Sequence, residues 1–166
     1  AGRGWGKTLT GAMDCVLYAL RNPDSIVAVV VPTFGDLRRV AFDGVSGILR
    51  QIPRELLLTG RGKGYNVTGA EISLFNGSKI IGFSATEPDR LRGSQFHRAW
   101  CDELCAWFYP DAYDQLLLGL RLGDTPQCVI TTTPKPTNLL KSIMNKSRTV
   151  ITRGSTFENE DNLASS

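Results

Sequence analysis

The sequence predicts an α/β domain, in which a mostly parallel sheet carries helices on both faces and an antiparallel hairpin on one side. The run Ile26–Val31 is β-branched without polar alternation, which is typical of a parallel strand buried on both faces. Asn76-Gly77 stands between two apolar segments and is a strong hairpin signal. A helical pattern precedes the first strand and another follows it, and this alternation is the rhythm of an α/β sheet.

The other elements can be predicted in chain order. The first helix should run from residue 9 to about Arg21, where Asn22-Pro23-Asp24 breaks it. Later segments are assigned from the same periodicity and capping signals: a glycine-interrupted helix over 36–49, an irregular stretch over 50–70, hairpin strands over 71–75 and 79–83, a polar segment over 86–95, a strand over 99–101, a helix over 113–122, a strand over 127–131, a helix over 138–145 capped by Thr137, and a last strand over 149–152.

Composition bounds the class of protein. The 166 residues suit one domain, and 42% hydrophobic with 21% charged residues is typical of a globular chain. The longest apolar run is far too short to span a bilayer, so no membrane is expected as a partner. The net charge of +3 does not by itself predict nucleic-acid binding. The four cysteines lack zinc or disulfide spacing, which favours reduced thiols in a reducing cytoplasm.

The chain opens on a glycine-rich stretch, Ala1-Gly2-Arg3-Gly4-Trp5-Gly6-Lys7-Thr8, which matches a phosphate-binding loop with Ala1 in the first glycine position. Such a loop turns its backbone N–H groups toward a phosphate, and the helix that follows favours an anion. Lys7 would reach the β- and γ-phosphates of ATP, and the Thr8 hydroxyl would be a ligand of Mg²⁺. The alternative is a glycine-rich turn that contains Gly-Lys-Thr by chance. Because a phosphate-binding loop normally follows a buried strand, we expect a fragment that lacks its first strand.

Two acidic residues, Asp102-Glu103, close a predicted strand. Asp102 is placed to hold Mg²⁺, directly or through water, and Glu103 is placed to orient and deprotonate an attacking water. The alternative is a pair of acids that caps the next helix.

Arginines and threonines complete the candidate set. Arg3 lies inside the loop, and Arg90 and Arg92 lie on the polar segment before the acidic pair, where a positive charge could stabilise the transition state of phosphoryl transfer. Each could equally be a solvated surface arginine. Thr131-Thr132-Thr133 ends a strand beside the loop and could sense the γ-phosphate, although threonine is also an ordinary strand residue.

Taken together, the ordered motifs resemble the ATPase domain of phage large terminase subunits, the DNA-packaging motors. The motifs that carry this resemblance extend over nearly the whole chain: Gly2-Arg3-Gly4-Trp5-Gly6-Lys7-Thr8, Val31-Pro32-Thr33, the Asn76-Gly77-Ser78 hairpin, Leu91-Arg92-Gly93, Trp100-Cys101-Asp102-Glu103 and Thr131-Thr132-Thr133-Pro134.

The resemblance implies a P-loop NTPase core of the additional-strand (ASCE) type, with the Thr131 strand between the phosphate-loop strand and the Asp102 strand. It implies a Walker A motif at 1–8, a Walker B motif at 99–102, catalytic Glu103 and a coupling motif at 131–133. Arg3 matches an arginine that the family carries before its Gly-Lys pair, and Arg92 matches the spacing of an arginine that acts on a neighbouring subunit. Ala1 and Trp5 depart from the pattern, and the upstream adenine-binding segment and the RNase H-like nuclease domain are not in the sequence.

We therefore expect an ATPase that uses ATP and Mg²⁺ to translocate viral double-stranded DNA into a procapsid in the host cytoplasm. By the resemblance it would work as a homo-oligomeric ring with a portal protein and a small terminase subunit. Residues 1–157 would form the ATPase domain and 158–166 the start of a linker, and Arg54, Arg61 and Lys63 are candidates for DNA contact. The alternatives are a superfamily 2 helicase and a nucleotide-binding regulatory module.

Overall fold

A computed structural model describes residues 4–59 and 64–154 of the chain. Six strands form one sheet in the order β2-β3-β4-β1-β5-β6. The strands are β1 (Ile26–Val31), β2 (Tyr65–Asn66), β3 (Glu71–Ser73), β4 (Lys79–Ser84), β5 (Arg98–Asp102) and β6 (Gln127–Thr131). The helices are α1 (Lys7–Arg21), α2 (Phe34–Asp36), α3 (Ile48–Gln51), α4 (Asp111–Gly119) and α5 (Asn138–Met144), with a π-helical turn at Leu37–Phe42 and 3₁₀ turns at Arg54–Leu56, Pro88–Leu91 and Leu104–Ala106.

The predicted α/β fold is confirmed, with β1 at the centre of its parallel part. β1 pairs in parallel with β4 on one side and β5 on the other, and β5 pairs in parallel with β6. Successive side chains of β1 enter opposite cores: Val27 and Val29 pack with α1, whereas Ala28 and Val30 pack with α4. Burial on both faces explains why this strand contains no polar residue.

The predicted hairpin is also confirmed. β3 and β4 are antiparallel, and Gly77 in the turn has a φ of 84°, which a residue with a side chain adopts only at a cost. The Asn76 amide donates hydrogen bonds to the carbonyls of Ala19 (2.9 Å) and Leu20 (3.3 Å). The turn therefore fastens the C-terminal end of α1 to the sheet.

The other end of α1 is positioned by two contacts with β5. Arg98 donates hydrogen bonds from Nε (2.9 Å) and Nη2 (2.6 Å) to the two carboxylate oxygens of Asp14. A methyl group on Gly11 would lie 2.1 Å from Cε2 of Trp100, so α1 lies directly on that indole. These contacts set the helix across the strand that ends at Asp102.

Three predicted elements differ in the structure. The helix over 36–49 is divided into α2, the π-helical turn and α3, because Gly44 and Gly47 form a turn in which Gly47 N–H donates to the Gly44 carbonyl. The helix predicted over 113–122 begins earlier and ends at Gly119, since Leu120 instead forms a bridge with Phe96. The strand predicted over 149–152 is irregular, because the Thr149 hydroxyl donates to the carbonyl of Ile143 at the end of α5.

The remaining predicted elements agree. Thr137 caps α5 through a hydrogen bond from Leu140 N–H. β6 lies beside β5, as the resemblance implied, and forms one side of the sheet within residues 4–59 and 64–154, where no phosphate-loop strand occurs. No helix in this described part is long and apolar enough to cross a membrane.

Candidate nucleotide-binding site

The described part of the glycine-rich stretch has the backbone of an anion-binding loop. Gly4 and Gly6 have φ angles of 75° and 78°, and Gly6 is the residue from which α1 begins. The first turn of α1 has no acidic residue, so nothing there offsets the partial positive charge of the helix N-terminus. Ala1, Gly2 and Arg3 lie outside the described residues. The arrangement suits an oxyanion in front of the helix, as the sequence predicts.

Asp102 lies at the carboxyl end of β5 and is only 4% exposed. The Thr131 hydroxyl donates a 2.7 Å hydrogen bond to its Oδ1, and the Trp100 indole N–H donates at 2.7 Å to the same hydroxyl. The Trp107 indole donates to the backbone carbonyl of Asp102 at 2.9 Å. This network fixes the direction of the carboxylate.

Burial also changes the acidity of this group. Desolvation raises the pKa of the Asp102 carboxyl above its ordinary value, the hydrogen bond from Thr131 lowers it, and the charge of Glu103 raises it further. The charge of Lys7 acts to lower the same pKa. A buried carboxylate held under this strain gains from a cation, which is the property expected of a metal ligand.

Glu103 has a left-handed backbone, with φ 44° and ψ 47°, which is uncommon for a residue with a side chain. Its Oε2 accepts a 2.9 Å hydrogen bond from the backbone N–H of Thr133, and its Oε1 accepts one of 3.3 Å from the Thr133 hydroxyl. Lys7 Nζ lies 3.4 Å from the same Oε1 and donates to the Thr133 hydroxyl at 3.1 Å. Three residues far apart in sequence therefore form one polar cluster, which we call the Lys7–Glu103–Thr133 cluster.

The cluster is sheltered but open to a ligand. The side chain of Lys7 is 12% exposed and that of Glu103 is 35% exposed. An incoming phosphate would compete with Glu103 for the lysine, and the glutamate would then be free to accept a proton. The ion pair of the ligand-free state can thus be exchanged for a lysine–phosphate contact.

The three threonines of the predicted coupling motif all contact the acidic segment. Thr131 holds Asp102 and Thr133 holds Glu103, while the Thr132 hydroxyl accepts a 3.0 Å hydrogen bond from the backbone N–H of Cys105. From sequence, these residues could equally have been strand filler. In the structure each hydroxyl has a polar partner in or after β5.

The donor set fits Mg²⁺, which prefers oxygen ligands such as a hydroxyl and a carboxylate. Thr8 is half-buried in the first turn of α1 and Asp102 is buried at the end of β5. No group of three or more histidine, cysteine or acidic residues that could form an all-protein metal site occurs in residues 4–59 and 64–154. The four cysteines are free thiols, as the sequence predicted.

The other predicted site residues lie apart from the cluster. Arg90 pairs with Glu87, and Arg92 pairs with Asp89 (each pair at 3.2 Å), on the 3₁₀ turn that packs beside α4. Arg92 also lines a surface depression of about 260 Å³ together with residues of α4. Arg54 is exposed on its own 3₁₀ turn, and Arg61 and Lys63 lie outside the described residues.

Sequence reasoning missed the residues that support the acidic pair. Trp100 and Trp107 each donate an indole N–H within the Asp102 network, and Gly11 admits Trp100 beneath α1. The only sequence signal is the pair of tryptophans on either side of Asp102-Glu103. That signal does not tell which polar group each indole reaches.

Comparisons with known proteins agree with this fold. The family model described as "Terminase large subunit, T4likevirus-type, N-terminal" matches residues 1–164. No individually curated protein sequence gives a match. Among solved structures, the large terminase ATPase domain of Thermus phage P74-26 is similar, with a TM-score of 0.63 and 20% identity over 91% of this chain and 64% of that domain.

A full-length large terminase from another thermophilic bacteriophage is similar as well. It gives a TM-score of 0.62 at 16% identity, over 80% of this chain and 32% of that protein. A structure of the same terminase in complex with ADP gives a TM-score of 0.60 at 14% identity, over 79% of this chain. The chain thus spans about a third of the length of that protein, and the likeness concerns the fold.

Proposed function

We propose, because this chain belongs to the family of T4-like terminase large-subunit N-terminal domains, that it hydrolyses ATP to drive viral double-stranded DNA into a procapsid. The observation that carries the proposal is the Lys7–Glu103–Thr133 cluster beside buried Asp102. It places a phosphate-binding cation, a general base and a metal-binding carboxylate at the same edge of the sheet.

In this proposal Lys7 leaves Glu103 and contacts the β- and γ-phosphates, while the backbone N–H groups of the loop with Gly2, Gly4, Trp5 and Gly6 surround them. Thr8 and Asp102 would hold Mg²⁺, which supplies charge neutralisation at the phosphates when bound. Glu103, freed from Lys7, orients the attacking water and takes its proton.

Thr131, Thr132 and Thr133 would couple this chemistry to motion. Thr133 contacts both Lys7 and Glu103, so exchange of the Lys7 partner changes the hydrogen bonds of β6's carboxyl end. Thr131 and Thr132 join the same end of β6 to Asp102 and to the backbone of Cys105. A change at the phosphate would therefore reach the edge strand directly.

Arginines would supply further charge. We assign Arg3 to its own subunit's site, because it belongs to the loop, and Arg92 to the site of a neighbouring subunit in a homo-oligomeric ring. Arg92 is exposed, with a side-chain exposure of 67%, and its partner Asp89 is also on the surface, so this ion pair is weak and exchangeable. Arg90 keeps the reading of a solvated arginine paired with Glu87.

The remaining assignments follow from the family. Residues 1–157 would be the ATPase unit and 158–166 the start of a linker. Double-stranded DNA would contact Arg54, Arg61 and Lys63 through its phosphates. The portal protein and the small terminase subunit would be further partners, and the place of action would be the host cytoplasm.

The test is phosphate release by the full-length protein in Mg²⁺, with and without duplex DNA. We expect hydrolysis that DNA stimulates, and loss of that hydrolysis in Glu103→Gln. The matched control is Glu87→Gln, which removes a surface carboxylate that pairs only with Arg90 among the described ion pairs. Tight nucleotide binding without turnover by the wild type would contradict the proposal and favour a regulatory module. Strand separation coupled to hydrolysis would favour a helicase.

A further inference from the structure

The phosphate-binding loop has a contact with the far end of the described chain. The Trp5 indole packs against the backbone of Gly154, and a methyl group placed on Gly154 would lie 2.1 Å from Cε2 and 2.3 Å from Nε1 of that ring. Real Cβ contacts are never so short. The indole therefore lies on a stretch of backbone that only glycine leaves open.

The segment that carries Gly154 is attached at its other end to the structure behind Glu103. The Thr149 hydroxyl donates a 2.8 Å hydrogen bond to the carbonyl of Ile143 in α5. Ile143 is buried in the same apolar cluster as Leu104, the residue that follows Glu103. Residues 149–154 thus extend from elements packed behind the proposed general base to the phosphate-binding loop.

A bulky tryptophan is unexpected in a loop that has to curl around phosphates. Trp5 stands between Gly4 and Gly6, both in left-handed conformations, and glycines lose the most backbone entropy when a loop becomes ordered. A large side chain held against a fixed backbone reduces that freedom before any ligand arrives. The contact with Gly154 gives this departure from the usual loop composition a physical use.

We propose that Gly154 is a positioning residue for the phosphate-binding loop, acting through Trp5. The contact keeps the loop in the conformation that receives phosphates and connects that conformation to the elements behind Glu103. The inference rests on the proposed nucleotide-binding function, whereas the contact itself can be measured without nucleotide.

The experiment uses the full-length protein with 5-fluorotryptophan in place of tryptophan. Three variants, Gly154→Ala, Trp5→Ala and the double variant, are compared with Arg153→Ala, which changes the exposed neighbour and keeps the glycine. Fluorine NMR reports on each indole, and Trp5→Ala assigns the Trp5 resonance. Affinity for a non-hydrolysable ATP analogue is measured by calorimetry.

We expect Gly154→Ala to shift the Trp5 resonance and to weaken analogue binding about tenfold, within the usual range of coupling between residues in contact. Its kcat at saturating ATP should change little, so the effect appears in KM. In the Trp5→Ala background the same substitution should cost nothing further, because no indole is there to meet the new methyl group. Arg153→Ala should behave like the wild type.

The resonances of Trp100 and Trp107, both buried, serve as the internal check that Gly154→Ala keeps the fold. An unmoved Trp5 resonance in Gly154→Ala would overturn the proposal, as would an equal loss of affinity with and without Trp5. A wild-type protein that binds no nucleotide would instead refute the proposed function, and the Trp5 resonance would still show whether the contact exists.

Discussion

Glu103→Gln should separate nucleotide binding from hydrolysis. In the ligand-free structure Glu103 holds Lys7 at 3.4 Å, so a nucleotide has to take the lysine from the glutamate. Glutamine keeps an oxygen that can accept the Thr133 N–H, but it carries no charge to hold Lys7 and cannot take a proton from water. The substitution should therefore strengthen ground-state binding while it stops turnover.

The magnitude follows from the distance. Two unit charges 3.4 Å apart attract by about 1.2 kcal/mol in water and about 5 kcal/mol at an effective dielectric constant of 20. Because Glu103 is 35% exposed, solvent screening and side-chain entropy bring the net value toward the lower figure, about 1–1.5 kcal/mol. Loss of the pair should then tighten binding of a non-hydrolysable ATP analogue by about tenfold. Loss of the general base should reduce kcat by about 10²–10⁴.

Calorimetry with the analogue and single-turnover phosphate release with ATP measure the two effects in the same full-length protein. Glu87→Gln is the control, because it removes one carboxylate from a surface pair and should change neither quantity. Hydrolysis by Glu103→Gln at the wild-type rate would refute the general-base assignment. Unchanged or weaker analogue binding would refute the reasoning that the ion pair opposes the nucleotide.

Three further predictions concern the same cluster and its neighbours. Lys7→Ala should abolish measurable hydrolysis, because it removes the charge that contacts the β- and γ-phosphates; retained turnover in a phosphate-release assay would exclude that role. Asp102→Asn should raise the thermal stability of the ligand-free protein at pH 7, since a carboxyl whose pKa is raised by burial favours the folded state only when protonated. That advantage should shrink as the pH falls below about 4, toward the ordinary aspartate pKa, and thermal denaturation at several pH values would show its absence. Mixing Arg92→Ala with Glu103→Gln subunits, each inactive alone, should restore part of the ATPase activity if Arg92 acts on the neighbouring site; mixed rings without recovery would return Arg92 to a surface role.

Local sequence patterns carried much of the fold. The all-apolar strand at 26–31 could be placed in a sheet with both faces covered, because an apolar run without alternation is stable only there. The Asn76-Gly77 turn could be placed as well, since few other pairs accept a positive φ so readily. Where glycines and capping groups competed with helical periodicity, at 36–49 and 149–152, the sequence prediction was wrong.

The candidate residues were also visible from sequence, since a glycine-rich loop and an acidic pair at a strand end are local features. What they contact was not, because contacts between β5, β6 and α1 depend on how the strands align. The register that sets Asp102 opposite Thr131 also brings Thr133 to Glu103, and α1 then brings Lys7 to both. Sequence alone determined which groups carry the chemistry; only the tertiary structure decided that Lys7 and Glu103 hold one another, and that Trp5 lies on Gly154.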